Sequence, residues 1–438
     1  MLRSGKFFRM PEEEQQQTVR QLAMHLPEDT SRFNLLPAGG DEEESSQGYR
    51  LGQIKQHLQK QVPNFLDLVR QTELGQQTWC EKNYQALFPL FKAIKEGRPT
   101  QAIRCFQKLL KDPVIRLLLS VHSQAYLEYL IQACAKASRD KPSCLYPKDE
   151  DCLIKRDTFE LLLMDLVRTV GSVSTINLSF NLPTHHAYYD KGNGFCLLNK
   201  TAAMIYYLCN GTDTKKPMPF ILGLDINRDD GLNDILCRDK DLPFVHIDVC
   251  DPRVYPYHSI EDIKSKLGNI GFTWEQNGAV HVFSRDQQSY HLVDLSAYTK
   301  RGDDSLHPAL EYIKMQLGQL LSSHSSIAIF APTGYDACDL EPAPCANYFA
   351  KTEEEMDSSA KQYQRLTMDD YRSMMDWLMQ QTVSSDLIRN FYYSLEGGYT
   401  SQVYAPLVVD MVKKANDYSA RTKTDHYLVN EKKPSSCI

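Results

Sequence analysis

Between about residues 51 and 137, apolar residues recur at three-to-four spacing in LGQIKQHLQKQVPNFLDLV, NYQALFPLFKAIKEG, AIRCFQKLLKD and VHSQAYLEYLIQACAKA. That is the period of helices with one buried face. Further on, short apolar runs alternate with helical ones. INLSF at 176–180, FILGLDI at 220–226, PFVHIDV at 243–249 and SIAIFAP at 326–332 read as strands, with another near FYYSLEG. NKTAAMIYYLCNG, residues 308–321, residues 367–381 and VYAPLVVDMVKKA read as helices. Such alternation predicts an α/β fold: a mainly parallel central sheet with helices on both faces. Sites in such sheets lie beyond the carboxyl ends of the strands. His185 and His186 fall there after INLSF, Asp225 at the end of FILGLDI, Asp336 after SIAIFAP, and Tyr399 after the last strand.

Residues 1–50 are polar, with Glu, Gln and Ser and a PAGG turn at 37–40, and are expected to be partly disordered. A single catalytic domain is expected over 51–415, comprising the helical part at 51–137 and insertions at 257–306 and 337–366, followed by a tail at 416–438. The content of 42% hydrophobic and 24% charged residues suits a globular enzyme. A net charge of -7 argues against a broad phosphate-binding surface, so direct nucleic-acid contact is not expected. A cationic peptide or a polyamine suits such a surface better. The 12 cysteines form no Cys-x-x-Cys pair, which argues against a zinc knuckle or a disulfide framework and for reduced thiols in the cytoplasm or nucleus. No membrane segment is expected, and MLRSGKFFRMPEEEQQQ lacks the apolar core of a signal peptide. Export without a cleaved signal stays an alternative.

The segment PTHHAYYDKGNGFCLLN at 183–199 carries a His-His pair, then Gly-Phe-Cys, then Asn. VHSQAYLEYL at 121–130, LDINRDDG at 224–231, GYDACDLEP at 334–342 and LEGGY at 395–399 complete an ordered set. As a set they resemble the zinc-dependent histone deacetylase family, of the arginase-deacetylase type. The resemblance covers roughly 120–415 and implies the same parallel sheet. It also implies Zn2+ held by Asp225, Asn227 and Asp336. His185 and His186 match the pair that moves the water and leaving-group protons, work suited to an imidazole near neutral pH. Asp230 matches the carboxylate orienting the second histidine, and Tyr399 the phenol that donates to the tetrahedral oxyanion. Gly194, Phe195 and Tyr255 match the slot for the acyl-lysine stem.

The sequence departs from the family in the signature Asp-x-His, which is Asp225-Ile226-Asn227 here. A neutral amide oxygen binds zinc less well than an imidazole. The aspartate expected two residues before Asp225 is Gly223, which implies lost support for the first histidine. Arg228-Asp229 replaces His-Gly, and Asp229 offers a substitute ligand. Three functions follow as expectations: a metal-dependent deacetylase acting on acetyl-lysine in proteins, histone tails among them; a catalytically impaired module that binds acyl-peptides or proteins; or an acetylpolyamine amidohydrolase.

Overall fold

The computed structural model describes residues 22–27, 47–74, 77–139, 141–145, 149–209, 216–256, 258–298, 306–341 and 365–431. Strand β1, Leu22–His25, precedes helices α1, Gln47–Gln61, and α2, Phe65–Leu74. Four more helices follow: α3, Gln77–Lys95; α4, Pro99–Lys108; α5, Pro113–Val121; and α6, Gln124–Lys136. The start of α5 is set by Asp112, whose carboxylate accepts from the N–H groups of Val114 and Ile115. Ser123 caps α6 through Tyr126 N. A small hairpin, β2 at Ser143–Leu145 and β3 at Asp149–Ile154, leads into α7, Thr158–Gly171.

The alternating half of the chain runs β4, Ile176–Ser179; α8, Lys200–Cys209; β5, Met218–Leu224; α9, Asp230–Arg238; β6, Phe244–Cys250; and α10, Ile260–Gly268. It continues through β7, Thr273–Asn277; β8, Val280–Arg285; β9, Gln288–Asp294; α11, Pro308–Ser323; β10, Ile327–Thr333; α12, Met368–Ser384; β11, Ile388–Leu395; and α13, Ser401–Glu431. The main sheet has nine strands in the order β1-β4-β11-β10-β5-β6-β9-β8-β7. All pairings are parallel except those of the β7-β8-β9 edge.

Strand side chains alternate between two cores. On β5, Phe220, Leu222 and Leu224 enter one with α1, α11, α12 and α13, while Ile221 enters the other with α3 to α9. On β10 the division is Ile327, Ile329 and Ala331 against Ala328 and Phe330. Both faces are therefore covered, which is why these strands read as continuous apolar runs. The expected α/β architecture is thus observed. Within the 257–306 segment, β9 pairs with β6 along its whole length, so this stretch extends the sheet. Within the polar 1–50 segment, residues 22–25 pair with β4 and residues 47–50 open α1. The rest of that expectation, and most of the 337–366 insertion, lie outside the described residues.

Candidate active site

β4, β11, β10 and β5 are neighbours in the sheet, so the loops leaving their carboxyl ends meet. The loop after β4 carries Thr184-His185-His186 and is held from two sides. Glu396, the residue after β11, accepts from Thr184 N at 2.5 Å, His185 N at 3.2 Å and Thr184 Oγ1 at 2.9 Å. Ser394 Oγ donates to it at 2.7 Å. From the other side, Asn199 Nδ2 donates to Ala187 O at 3.0 Å. His122 joins Tyr188 O through Nδ1 at 2.9 Å and accepts Asn199 N on Nε2 at 2.9 Å. An imidazole that donates on one nitrogen and accepts on the other is neutral, and burial pushes the His122 pKa down to about 4. The VHS segment and the Asn after Gly-Phe-Cys therefore scaffold the His-His loop.

The two imidazoles have ring centroids 3.9 Å apart. His185 Nδ1 lies 2.8 Å from Asp229 Oδ1, and His186 Nδ1 lies 2.5 Å from Asp230 Oδ1. With Nδ1–H given to a carboxylate, each ring keeps Nε2 for other work. The Tyr188 hydroxyl donates a short hydrogen bond to the other oxygen of Asp230. The pair is electrostatically split. Burial opposes protonation of His185, yet the charges of Asp225, Asp229 and Glu396 raise its pKa well above the ordinary value. For His186, burial and the charge of His185 lower it despite Asp230. Of the two rings, His185 is the more easily protonated.

Asp225, one residue past β5, and Asp336, three past β10, converge. Asp225 Oδ1 accepts from Asn227 N at 2.8 Å and Oδ2 from Gly397 N at 3.0 Å, while Asp336 Oδ1 accepts from Ile226 N at 3.2 Å. A Cβ on Gly397 would sit 2.1 Å from Asp336 Oδ2 and 2.8 Å from Asp225 Oδ2, and one on Gly334 would sit 1.8 Å from Asp225 Oδ2. Glycine at both places leaves room for the carboxylates. Burial, then the neighbouring Asp225 charge, pushes the Asp336 carboxyl up to about 8. Two buried carboxylates at one point call for a cation between them, and this donor set fits a divalent metal.

His185, Cys196 and Glu396 also lie close together. The Glu396 oxygens are already filled by four donors. The Cys196 thiol donates to Gly194 O, and burial keeps its pKa well above the usual thiol value. That trio is a structural knot beneath the histidines, so the Asp225–Asp336 pair is the better candidate for a metal centre.

Asn227 Nδ2 donates to Tyr255 O at 3.1 Å, so its amide oxygen is the atom left to coordinate. Exchanging Asn227 for His removes this bond but supplies a softer donor. Asn227→His is expected to lower the zinc Kd measured by chelator competition if position 227 is a ligand.

Gly194 and Phe195 both have positive φ, 49° and 64°, inside a tight turn closed by Asn193 and Cys196. Positive φ is unusual for a bulky residue, and Phe195 is held 41% exposed. A Cβ on Gly194 would come within 2.8 Å of His186 Cδ2 and 2.9 Å of Tyr255 Cε1. The His186 and Tyr255 rings meet edge-on at 5.0 Å. The expected slot residues Gly194 and Tyr255 are therefore brought against His186. Gly194→Ala adds both this crowding and backbone strain. It is expected to lower stability by at least about 1 kcal/mol in thermal melts.

Tyr399 follows the Gly397-Gly398 turn and is half-buried. Glu341 accepts from Tyr399 N at 3.0 Å, Thr400 N at 2.9 Å and Thr400 Oγ1 at 2.6 Å. Arg50, buried in α1, donates to Gly397 O at 3.0 Å and Gly398 O at 2.8 Å. Its guanidinium carbon lies 5.3 Å from the centroid of the Tyr399 ring.

A family model described as "Histone deacetylase domain" matches residues 111–415. The chain belongs to the histone deacetylase family. A "Probable deacetylase" from Methanothermobacter thermautotrophicus (strain Delta H) is 26% identical over 136 residues, 31% of this chain. The chain spans 40% of that relative's length. A crystal structure of acetylpolyamine aminohydrolase from Burkholderia pseudomallei is similar at 14% identity and a TM-score of 0.44, over 70% of this chain and 82% of that one. A crystal structure of the HDA15 HD domain is similar at 14% identity and a TM-score of 0.45, over 68% of this chain and 73% of that one.

Within this deacetylase-family chain, one expectation is corrected. Gly223 implied that His185 had lost its supporting carboxylate, but Asp229 supplies one at 2.8 Å. A Cβ at 223 would lie 2.4 Å from Asp229 Oδ2, so the Asp229 carboxylate fills the space a side chain there would take. Burial opposes ionisation of Asp229, but its bonds to His185 and His246 hold the carboxyl below its usual range. Asp229 is thereby occupied as an orienting group, which argues against the expected role as substitute metal ligand. Sequence reasoning also missed Tyr188, Glu341, Glu396 and Arg50. The first three lie in or beside the motifs, whereas nothing in the sequence around Arg50 marks it.

Proposed function

We propose that this deacetylase-family chain is a metal-dependent amidohydrolase that removes an acetyl or related acyl group from lysine side chains of proteins, histone tails among them. The observation that carries this reading is the convergence of the Asp225 and Asp336 carboxylates next to two separately oriented histidines. Zinc would be held by Asp225, Asp336 and the Asn227 amide oxygen. The chemistry it supplies is Lewis acidity toward a water and toward the acyl carbonyl.

The remaining steps belong to the chain. His186, neutral and oriented through Nδ1 by Asp230, takes a proton from the attacking water on Nε2 and returns it to the leaving amine. His185, oriented through Nδ1 by Asp229, stands beside the carboxylate pair and offers its Nε2 to the reacting groups. The Tyr399 phenol donates to the oxyanion, and Gly194, Phe195 and Tyr255 enclose the lysine methylenes. Among the described residues, no helix is long and apolar enough to cross a membrane. The acidic balance suits cationic substrates.

The alternative of an acyl-peptide-binding module without turnover retains one supporting feature, the neutral donor at Asn227. The test is turnover of acetyl-lysine peptides and of acetylspermidine by purified protein supplied with zinc, with metal measured per chain. Peptide turnover at near-stoichiometric zinc is expected. Activity on acetylspermidine alone overturns the protein-substrate reading. Less than about a tenth of a zinc per chain in excess metal, with no turnover, favours the binding module.

A further inference from the structure

Behind His185 the polar network continues to a residue outside the motifs. Asp229 turns Oδ1 to His185 Nδ1 and its second oxygen, Oδ2, to His246 Nε2 at 3.1 Å. His246 is fully buried on β6, next to β5, and its Nδ1 has no hydrogen-bond partner among the described residues. With no acceptor at Nδ1, the ring proton sits on Nε2, and His246 is a donor to Asp229.

The rest of the surroundings fix Asp229 in place but leave its carboxylate direction to these two rings. Asp229 N donates to Asp248 Oδ2 at 3.1 Å, and that oxygen also accepts from the Tyr290 hydroxyl at 2.9 Å. The terminal torsion of an aspartate is soft and broad. With Oδ2 tied to His246, the carboxylate plane is set and Oδ1 points at His185. Without that donor, a buried oxygen loses its partner and the group gains a reason to turn.

We propose that His246 is a positioning residue for acyl hydrolysis, acting through Asp229 to fix the orientation of the His185 ring. The inference rests on the reading that His185 takes part in that reaction. His246→Leu removes the donor at similar bulk, whereas His246→Gln keeps an N–H of comparable reach. His246→Leu is expected to lower kcat and kcat/KM together by about 10–100-fold, with zinc per chain unchanged and much of the loss recovered in His246→Gln. In an Asp229→Ala background His246→Leu should add little, because both changes break one connection.

A readout independent of turnover is the imidazole 15N spectrum, with the His185 signals assigned by their loss in His185→Gln. These signals are expected to move in His246→Leu and to stay near their wild-type positions in His246→Gln. Unchanged His185 signals in a folded His246→Leu overturn the inference, as does a rate loss that adds fully to that of Asp229→Ala. If the His185 signals move as expected but the wild-type protein hydrolyses no acyl-lysine peptide, the proposed function fails while the orienting connection stands.

Discussion

His186→Ala is expected to lower kcat by about 10²–10⁴-fold, the contribution of a positioned general acid-base group. His186 is the ring that its surroundings keep neutral: burial and the adjacent His185 charge both disfavour its protonation. Its Nδ1 is committed to Asp230, whose own carboxyl burial opposes but His186, Arg228 and Tyr188 hold down at about 2. Only Nε2 is left to exchange protons, and the ring stands edge-on to Tyr255 and against Gly194, where a lysine stem would enter. The pH profile carries the same assignment. A base works unprotonated, and a pKa lowered from the ordinary 6.5 keeps it unprotonated further into acid. The acidic limb of kcat/KM is therefore expected below pH 6.5, and what activity remains in His186→Ala should lack that limb. Stopped-assay rates on an acetyl-lysine peptide between pH 5 and 8 check both. An alanine variant within about tenfold of wild type, outside the range expected of an acid-base group, removes His186 from the proton-transfer role.

The fold was legible where a strand is both long and apolar on both faces. β5 and β10 appear in the sequence as apolar runs because both faces of each strand are buried in the two cores, and β4, although only four residues long, stands out by its alternation of Ile176 and Leu178 with polar residues. β1 escaped notice: four residues, LAMH, inside a polar stretch carry too little pattern to mark a strand. The 257–306 segment reads as a decoration because its outermost strand, β7, is exposed along its length, yet β9 is part of the sheet. The site divides in the same way. Residues within one motif, such as His185 and His186, could be read together because chain continuity keeps them together. Asp229 was visible as an extra carboxylate, but which way it turns depends on the path of the chain after β5 and on the vacancy at Gly223. Arg50 lies 347 residues from the Gly397 carbonyl it holds. Only the packing of α1 against α13, the helix that follows the Gly397-Gly398 turn, brings the two together, and no local pattern encodes that.

That remote contact bears on the second large effect, because Tyr399→Phe tests the proposed oxyanion donor in a turn whose backbone is held by Arg50 and Glu341. Removing the hydroxyl keeps the ring under Arg50, the Arg50 bonds to Gly397 and Gly398, and the Glu341 bonds to Tyr399 N and Thr400. The variant should therefore fold and melt like the wild type. It loses one hydrogen-bond donor, and a donor aimed at a developing oxyanion is worth about 10²–10³-fold in kcat, or roughly 3–4 kcal/mol. The bond strengthens as the carbonyl oxygen becomes an alkoxide, so kcat and kcat/KM should fall together while KM changes little. Metal per chain should not change, because the Asp225 and Asp336 carboxylates are held by backbone N–H groups of Asn227, Gly397 and Ile226, not by the phenol. Steady-state kinetics with metal analysis on the same preparations separates the outcomes. A wild-type kcat with a raised KM would make Tyr399 a binding residue, and a loss of zinc would make it part of the metal's support. Only a fall in kcat at full metal occupancy identifies the phenol as the group that meets the transition state.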